Sequence, residues 1–279
     1  MTGRTLFVSD LDGTLMQPGA YLSDKTIDLL NRSIADGKLF TIATARTPAT
    51  VSNIIKDVNM NTPGIVMTGA AIWNPATNRY SNQKYMNPQG VEKLVETYRS
   101  MNFPIFLFTL DDELINIYHI GGKLNKLEQD FMDERINSPY KRFHISEDGT
   151  EILPADFSKT ILFYGMQPTE LAETTYARTC GIEGCRPQFY HDFYGPTIGI
   201  VEAFSTEATK AKAVAHMKQL TGADRVVAFG DNLNDIPMLK AADVAVAVDN
   251  ALPEVKEIAD IIIAPNTEDS VAEFIFKAS

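Results

Sequence analysis

The sequence has 279 residues, 44% hydrophobic and 22% charged, which excludes a disordered chain and leaves room for one large core or two modest ones. A formal charge of −11 repels polyanions, so nucleic acid and anionic membranes are not expected partners, whereas a local cluster of cations with a metal still suits a small anionic substrate. No stretch nears the roughly 20 apolar residues of a membrane helix, the first residues lead into a strand without a signal-peptide pattern, and the cytoplasm is the expected location.

In chain order, the apolar run Leu6 to Ser9 predicts a first strand. A helix follows Ser23, with Ile27, Leu29, Leu30 and Ile34 on one face and Gly37 as its stop. Leu39 to Ala43 is a second strand, Pro48 opens a helix to about Val58, and Ile65 to Met67 is a third buried strand. This alternation predicts a parallel sheet with right-handed crossovers.

After Asn74-Pro75 the texture changes. Pro104 to Leu110 and Leu114 to Ile120 read as a hairpin, 123–136 as a helix, 159–165 as a strand and 168–180 as a helix. Phe189 to Phe193 and Thr197 to Phe204 form a second hairpin-like pair around Gly195-Pro196. The alternation then resumes with helix 209–220, strand 226–229, helix 235–242, strand 244–248, helix 253–259, strand 261–263 and helix 268–276. The fold class expected is α/β: a doubly wound, mostly parallel, Rossmann-like sheet from residues 1–83 and 196–279, with an α+β domain inserted over 84–195. A cleft between the two is the expected place for a small substrate.

Four places in the split core carry polar groups suited to phosphate and a divalent cation. Asp10 and Asp12, in Asp10-Leu11-Asp12-Gly13-Thr14-Leu15, stand on a turn at the carboxyl end of the first strand, where open α/β sheets hold their chemistry. The first suits a nucleophile or metal ligand and the second a proton donor. Thr44-Ala45-Arg46 offers a hydroxyl, helix-end amides and a guanidinium to an anion. Lys210 opens a helix with a compact cation suited to a phosphoryl oxygen. Gly230-Asp231-Asn232-Leu233-Asn234-Asp235 adds two carboxylates after another strand, and Mg²⁺ favours one or two such oxygens together with substrate phosphate. His119, His144, His191 and His216 lack metal-ligand spacing, and Cys180 and Cys185 read as free thiols of a reducing compartment. The run Phe189 to Tyr194 reads as cap core in preference to a sugar-binding wall.

Asp-x-Asp-Gly-Thr-Leu, Thr-x-Arg, a lone Lys and Gly-Asp-x-x-Asn-Asp, in that order, resemble the haloacid dehalogenase superfamily. The long insertion between the second and third motifs resembles its Cof-type sugar-phosphate phosphatases, whose α/β cap lies there. The resemblance implies that Asp10 attacks phosphorus to form an aspartyl-phosphate, while Asp12 protonates the leaving alcohol and then activates water. It implies that Thr44 and Lys210 hold phosphoryl oxygens and that Asn234 helps to orient that shell. It also implies that Asp10, the backbone carbonyl of Asp12 and Asp231 bind Mg²⁺, with Asp235 a direct or water-mediated ligand. Ala45, Thr68, Ala211 and Ser270 depart from residues frequent in the family, and Thr68, in place of an Asn, bears on substrate preference.

The implied function is a Mg²⁺-dependent phosphomonoesterase acting on small phosphorylated metabolites, sugar phosphates first among them. A phosphomutase or phosphotransferase with the same nucleophile is the enzymatic alternative. A metabolite-binding protein or phospho-switch without turnover is the alternative of a different class.

Overall fold

The computed structural model describes residues 3–192 and 195–278. The chain divides into two compact units, Met1–Asn82 with Ala208–Ser279 and Gln83–Glu207. The second crossing falls after Glu207 and not at the expected 195–196, because the last long strand of the insertion hydrogen-bonds to its neighbours as far as Ser205.

The first unit begins with β1 (Thr5–Ser9), α1 (Asp24–Ala35), β2 (Leu39–Ile42) and α2 (Pro48–Ile55). Ser23 caps α1 by accepting from the Thr26 amide at 3.0 Å, and Pro48 occupies the first turn of α2, where its missing N–H costs nothing. Next come β3 (Gly64–Val66), β4 (Ala71–Asn74) and β5 (Arg79–Ser81). The third strand was expected to extend the parallel sheet. It does so only through an isolated parallel bridge, Ala43 to Ile65, before Met67, Thr68 and Gly69 take positive φ and reverse the chain into the antiparallel trio β3-β4-β5.

The inserted unit contains α3 (Pro88–Ser100), β6 (Ile105–Leu110), β7 (Ile115–Ile120), α4 (Lys126–Asp133), β8 (Lys141–His144), β9 (Thr160–Pro168), α5 (Thr169–Thr179), β10 (Cys185–Asp192) and β11 (Gly195–Ser205). Among the described residues its sheet runs β10-β11-β9-β6-β7-β8, antiparallel except at β7–β8. Val91, Leu94, Val95 and Tyr98 of α3 and Ala172 of α5 pack on the strand residues Leu107, Phe163 and Val201, which places a core on one face of this sheet. Of the aromatic run 189–194, Phe189 packs at the edge of that core, while Phe193 and Tyr194 lie outside the described residues.

The chain returns to the first unit with α6 (Lys210–Thr221), β12 (Arg225–Gly230), α7 (Ile236–Ala241), β13 (Val244–Val248), α8 (Pro253–Ile258), β14 (Ile261–Ile263) and α9 (Ser270–Lys277). Among the described residues the main sheet is β14-β13-β12-β1-β2, parallel throughout. β1 has β2 on one side and β12 on the other, so the order reverses there. The carboxyl ends of β1, β2, β12 and β13 all reach one edge, the position at which open α/β sheets bind ligands. Among the described residues no helix is long and apolar enough to cross a membrane.

Candidate active site

Asp10 is held at the end of β1 by its own amide, which donates to the Phe229 carbonyl at 3.0 Å and carries the β1–β12 pairing one residue beyond the strand. Its carboxylate is buried. The tight turn Leu11–Leu15 follows, with Gly13 at φ 76°. A Cβ on Gly13 would lie 2.3 Å from Asp231 Oδ2, so the turn admits only glycine if Asp231 is to stand this close. Thr14 Oγ1 then donates to Asp231 Oδ1 at 2.9 Å, joining the β1 turn to the one after β12.

Asp235, fully buried, accepts from the amides of Asp231 at 3.1 Å and Asn232 at 3.2 Å, which closes the turn. Lys210 Nζ, also buried, donates to Asp10 Oδ1 at 2.5 Å and to Asp235 Oδ1 at 2.7 Å. Two devices place Lys210 there. Thr209 caps α6 by accepting from the Lys212 amide at 3.1 Å, and Gly69 at φ 89° packs so closely that a Cβ would lie 2.4 Å from the Thr209 carbonyl oxygen.

Asp10, Asp231 and Asp235 each present an oxygen within 4.8 Å of the others. At an effective dielectric of about 20, two negative charges at that distance repel by roughly 3.5 kcal/mol. Burial, then the charges of Asp235 and Asp231, drive the Asp10 carboxyl well above its ordinary value, against the pull of Lys210. Burial, Asp235 and Asp12 likewise raise Asp231 to about 6, against the Thr14 hydrogen bond and Lys210. Burial alone would lower Lys210, but Asp10 and Asp235 outweigh it and hold the ammonium above its ordinary value. One ammonium against three clustered carboxyls leaves a deficit of positive charge. Hard oxygen donors around such a deficit fit a small divalent cation.

The remaining predicted site residues stand nearby in different ways. Thr44 is buried after β2, its amide donating to Ile65 and its carbonyl accepting from Thr68, each at 3.0 Å. Its hydroxyl accepts from the Arg46 amide at 3.1 Å. Arg46 turns its guanidinium to Asp12, with Nε and Nη2 donating to the two carboxylate oxygens at 2.8 and 2.6 Å. This pairing raises Arg46 above its ordinary value. Asp12 itself is exposed, and so is Asn234, on the turn Leu233–Asp235. The roles of Thr14 in steadying Asp231 and of Asn250, whose Nδ2 donates to the Gly13 carbonyl at 2.7 Å, were not anticipated. The available signal for Asn250 was its place two residues past the carboxyl end of β13, the sheet edge at which Asp10 follows β1.

A model of the haloacid dehalogenase-like hydrolase family matches residues 7–275. The chain belongs to that family. This hydrolase is 25% identical over 273 residues to a 5-amino-6-(5-phospho-D-ribitylamino)uracil phosphatase of Bacillus subtilis (strain 168), covering 97% of this chain and 96% of the relative. It is 27% identical over 301 aligned positions to a pyridoxal phosphate phosphatase of Escherichia coli (strain K12), covering 99% and 98%. Among solved structures, a haloacid dehalogenase-like hydrolase from Bacteroides thetaiotaomicron superposes with a TM-score of 0.76 at 23% identity, covering 98% of both chains. The hydrolase is therefore an enzyme, a haloacid dehalogenase-family phosphatase of the Cof type.

Proposed function

We propose that this phosphatase is a cytoplasmic, Mg²⁺-dependent phosphomonoesterase that cleaves small phosphorylated metabolites, sugar phosphates first among them, through an aspartyl-phosphate on Asp10. One observation carries the reading: a buried carboxylate at the end of β1 bonds to Lys210 within a cluster of three acids, while a second carboxylate, Asp12, stands exposed on the adjoining turn. Two relatives that match along nearly the whole chain are named as phosphatases of phosphorylated small molecules, which supports the substrate class. Cytoplasmic residence fits the free thiols of Cys180 and Cys185.

Asp10, Asp231, Asp235 and the backbone carbonyl of Asp12 would hold the cation, and when bound it would neutralise the phosphoryl oxygens and favour the ionised form of Asp10. Lys210, Thr44 and Asn234 orient the phosphoryl group. An oxygen of Asp10 forms a bond to phosphorus as the bond to the leaving alcohol breaks, and Asp12 gives its proton to the departing oxygen. Water then attacks phosphorus and passes a proton to Asp12, the Asp10–phosphorus bond breaks, and phosphate leaves. Arg46, grouped by sequence with the phosphate ligands, holds the ionised form of Asp12 through its paired hydrogen bonds, and Asp12 takes up the proton it donates once that pairing opens.

The test is phosphate release from a panel of sugar phosphates, pyridoxal phosphate and phosphoribitylaminouracil, with Mg²⁺ or with chelator. Wild type with Mg²⁺ is expected to turn over at least one compound and Asp10→Asn none. Unchanged turnover by Asp10→Asn overturns the nucleophile. Return of the phosphoryl group to substrate, followed by phosphorus NMR, would make the enzyme a mutase.

A further inference from the structure

We infer that Asn250 is a positioning residue that sets the spacing between the nucleophile turn after β1 and the acidic turn after β12. The inference rests on the chemistry proposed above for Asp10 and Asp12. Residues 249–252 follow β13 at the same sheet edge and touch both turns. Asn250 Nδ2 donates to the Gly13 carbonyl at 2.7 Å, and the Leu252 amide donates to the Asp231 carbonyl at 2.9 Å. One short loop thus grips the turn carrying Asp12 and the turn carrying Asp231. Those are the turns that Gly13 and Thr14 bring into direct contact.

The Asn250 amide can take only one orientation. A carbonyl oxygen only accepts and a backbone N–H only donates, so the nitrogen must face Gly13 and the oxygen must face Asn266, whose amide donates to it at 2.9 Å. Asn266 in turn donates from Nδ2 to the Met16 carbonyl at 2.6 Å, just past the end of the Leu11–Leu15 turn. The two asparagines therefore hold that turn at Gly13 and at Met16. Lys256 Nζ, donating to Asp249 Oδ1 at 2.9 Å, ties the far side of the loop to α8. Asn250 is itself exposed, so its contribution to packing is small and its hydrogen bonds define its role.

The Gly13 carbonyl belongs to the peptide that also carries the Thr14 amide, so releasing it frees Thr14 from Asp231 and the Asp12 backbone from its place. Aspartate at position 250 keeps the acceptor for Asn266 and loses the donor for Gly13. Asn250→Ala and Asn250→Asp are therefore both expected to lower kcat by roughly 10–100-fold with KM within about 2-fold, the mark of misplaced reacting groups. Mg²⁺ affinity by calorimetry is expected to fall about 10-fold in both, as when a group behind a metal ligand is lost. The melting temperature should drop by no more than about 4 °C. Wild-type behaviour of Asn250→Asp, or unchanged kcat and Mg²⁺ affinity in Asn250→Ala, overturns the inference. Should wild type release no phosphate from any compound, the proposed function fails, and the Mg²⁺ titration still decides the role of Asn250.

Discussion

Replacing Lys210 with Met keeps a long buried side chain and removes the ammonium that bonds Asp10 at 2.5 Å and Asp235 at 2.7 Å. Breaking a buried pair by removing one partner costs roughly 3–5 kcal/mol, because the remaining charges stay buried without compensation. For a unit of about 150 residues, each kcal/mol lowers the melting temperature by about 2–4 °C, so a drop of roughly 6–20 °C is expected near pH 8 in chelator. The pH dependence has a definite sign. Asp10 and Asp231 lie above the ordinary carboxyl value of 3.8, Asp231 at about 6, so the folded protein holds protons that the unfolded chain has released. Their contribution is fully present below the unfolded value and is lost as pH rises through the folded one. Without Lys210 these carboxyls rise further, so the deficit of Lys210→Met should narrow on acidification to about pH 5. Mg²⁺ near pH 8 should restore more of the melting temperature in the variant than it adds to wild type. Thermal melts of both proteins across that range decide the matter. A variant melting within about 2 °C of wild type near pH 8, or a deficit that widens on acidification, refutes the reasoning.

Asp12→Asn removes the proposed proton shuttle, and kcat should fall by roughly 10²–10⁴-fold; activity within a few-fold of wild type would refute the role. In the inserted unit, burial raises Glu202 to about 7 against a hydrogen bond from Tyr190 and the charge of Arg186, so its stabilising effect is present below the ordinary 4.5 and lost as pH rises through 7. Glu202→Gln should therefore shrink the loss of denaturant stability between about pH 5 and pH 8 by roughly 2–3 kcal/mol, and an unchanged pH slope would contradict the assignment. Gly69→Ala places a Cβ 2.4 Å from the Thr209 carbonyl at φ 89°, and should cost at least about 2 kcal/mol in denaturant melts while displacing the start of α6. A neutral result would show that α6 yields freely.

The acidic and cationic groups were legible because they obey a rule of topology. Strands joined by right-handed crossovers run parallel, so motifs that each end a strand arrive at one edge even when, like Asp10 and Asp231, they are far apart in sequence, and Lys210 reaches that edge from the first residue of α6. What those side chains do after arrival was not legible. That Arg46 turns to Asp12 depends on where a turn points a long side chain, and the reach of Asn250 to Gly13 depends on the path of a loop. β3 carries the apolar signature of a buried parallel strand, and its reversal is decided by three consecutive positive-φ residues, two of them Met67 and Thr68, which the pattern does not flag. β8 escaped notice because Lys-Arg-Phe-His looks polar, yet Lys141 is buried with Nζ 5.4 Å from the Phe108 ring centroid, its stem and charge covered by aromatic faces. α3 carried a readable start in Asn87-Pro88 and a buried stripe of Val91, Leu94, Val95 and Tyr98, masked by the turn-like residues just before it.

Acid-quenched mass spectrometry of the enzyme during turnover tests the role of Asp10 most directly. The peptide containing Asp10 should gain the mass of one phosphoryl group in wild type, lose it on treatment with hydroxylamine, and never gain it in Asp10→Asn. Steady phosphate release with no phosphorylated enzyme at any time, or a phosphoryl group on another residue, would contradict the account.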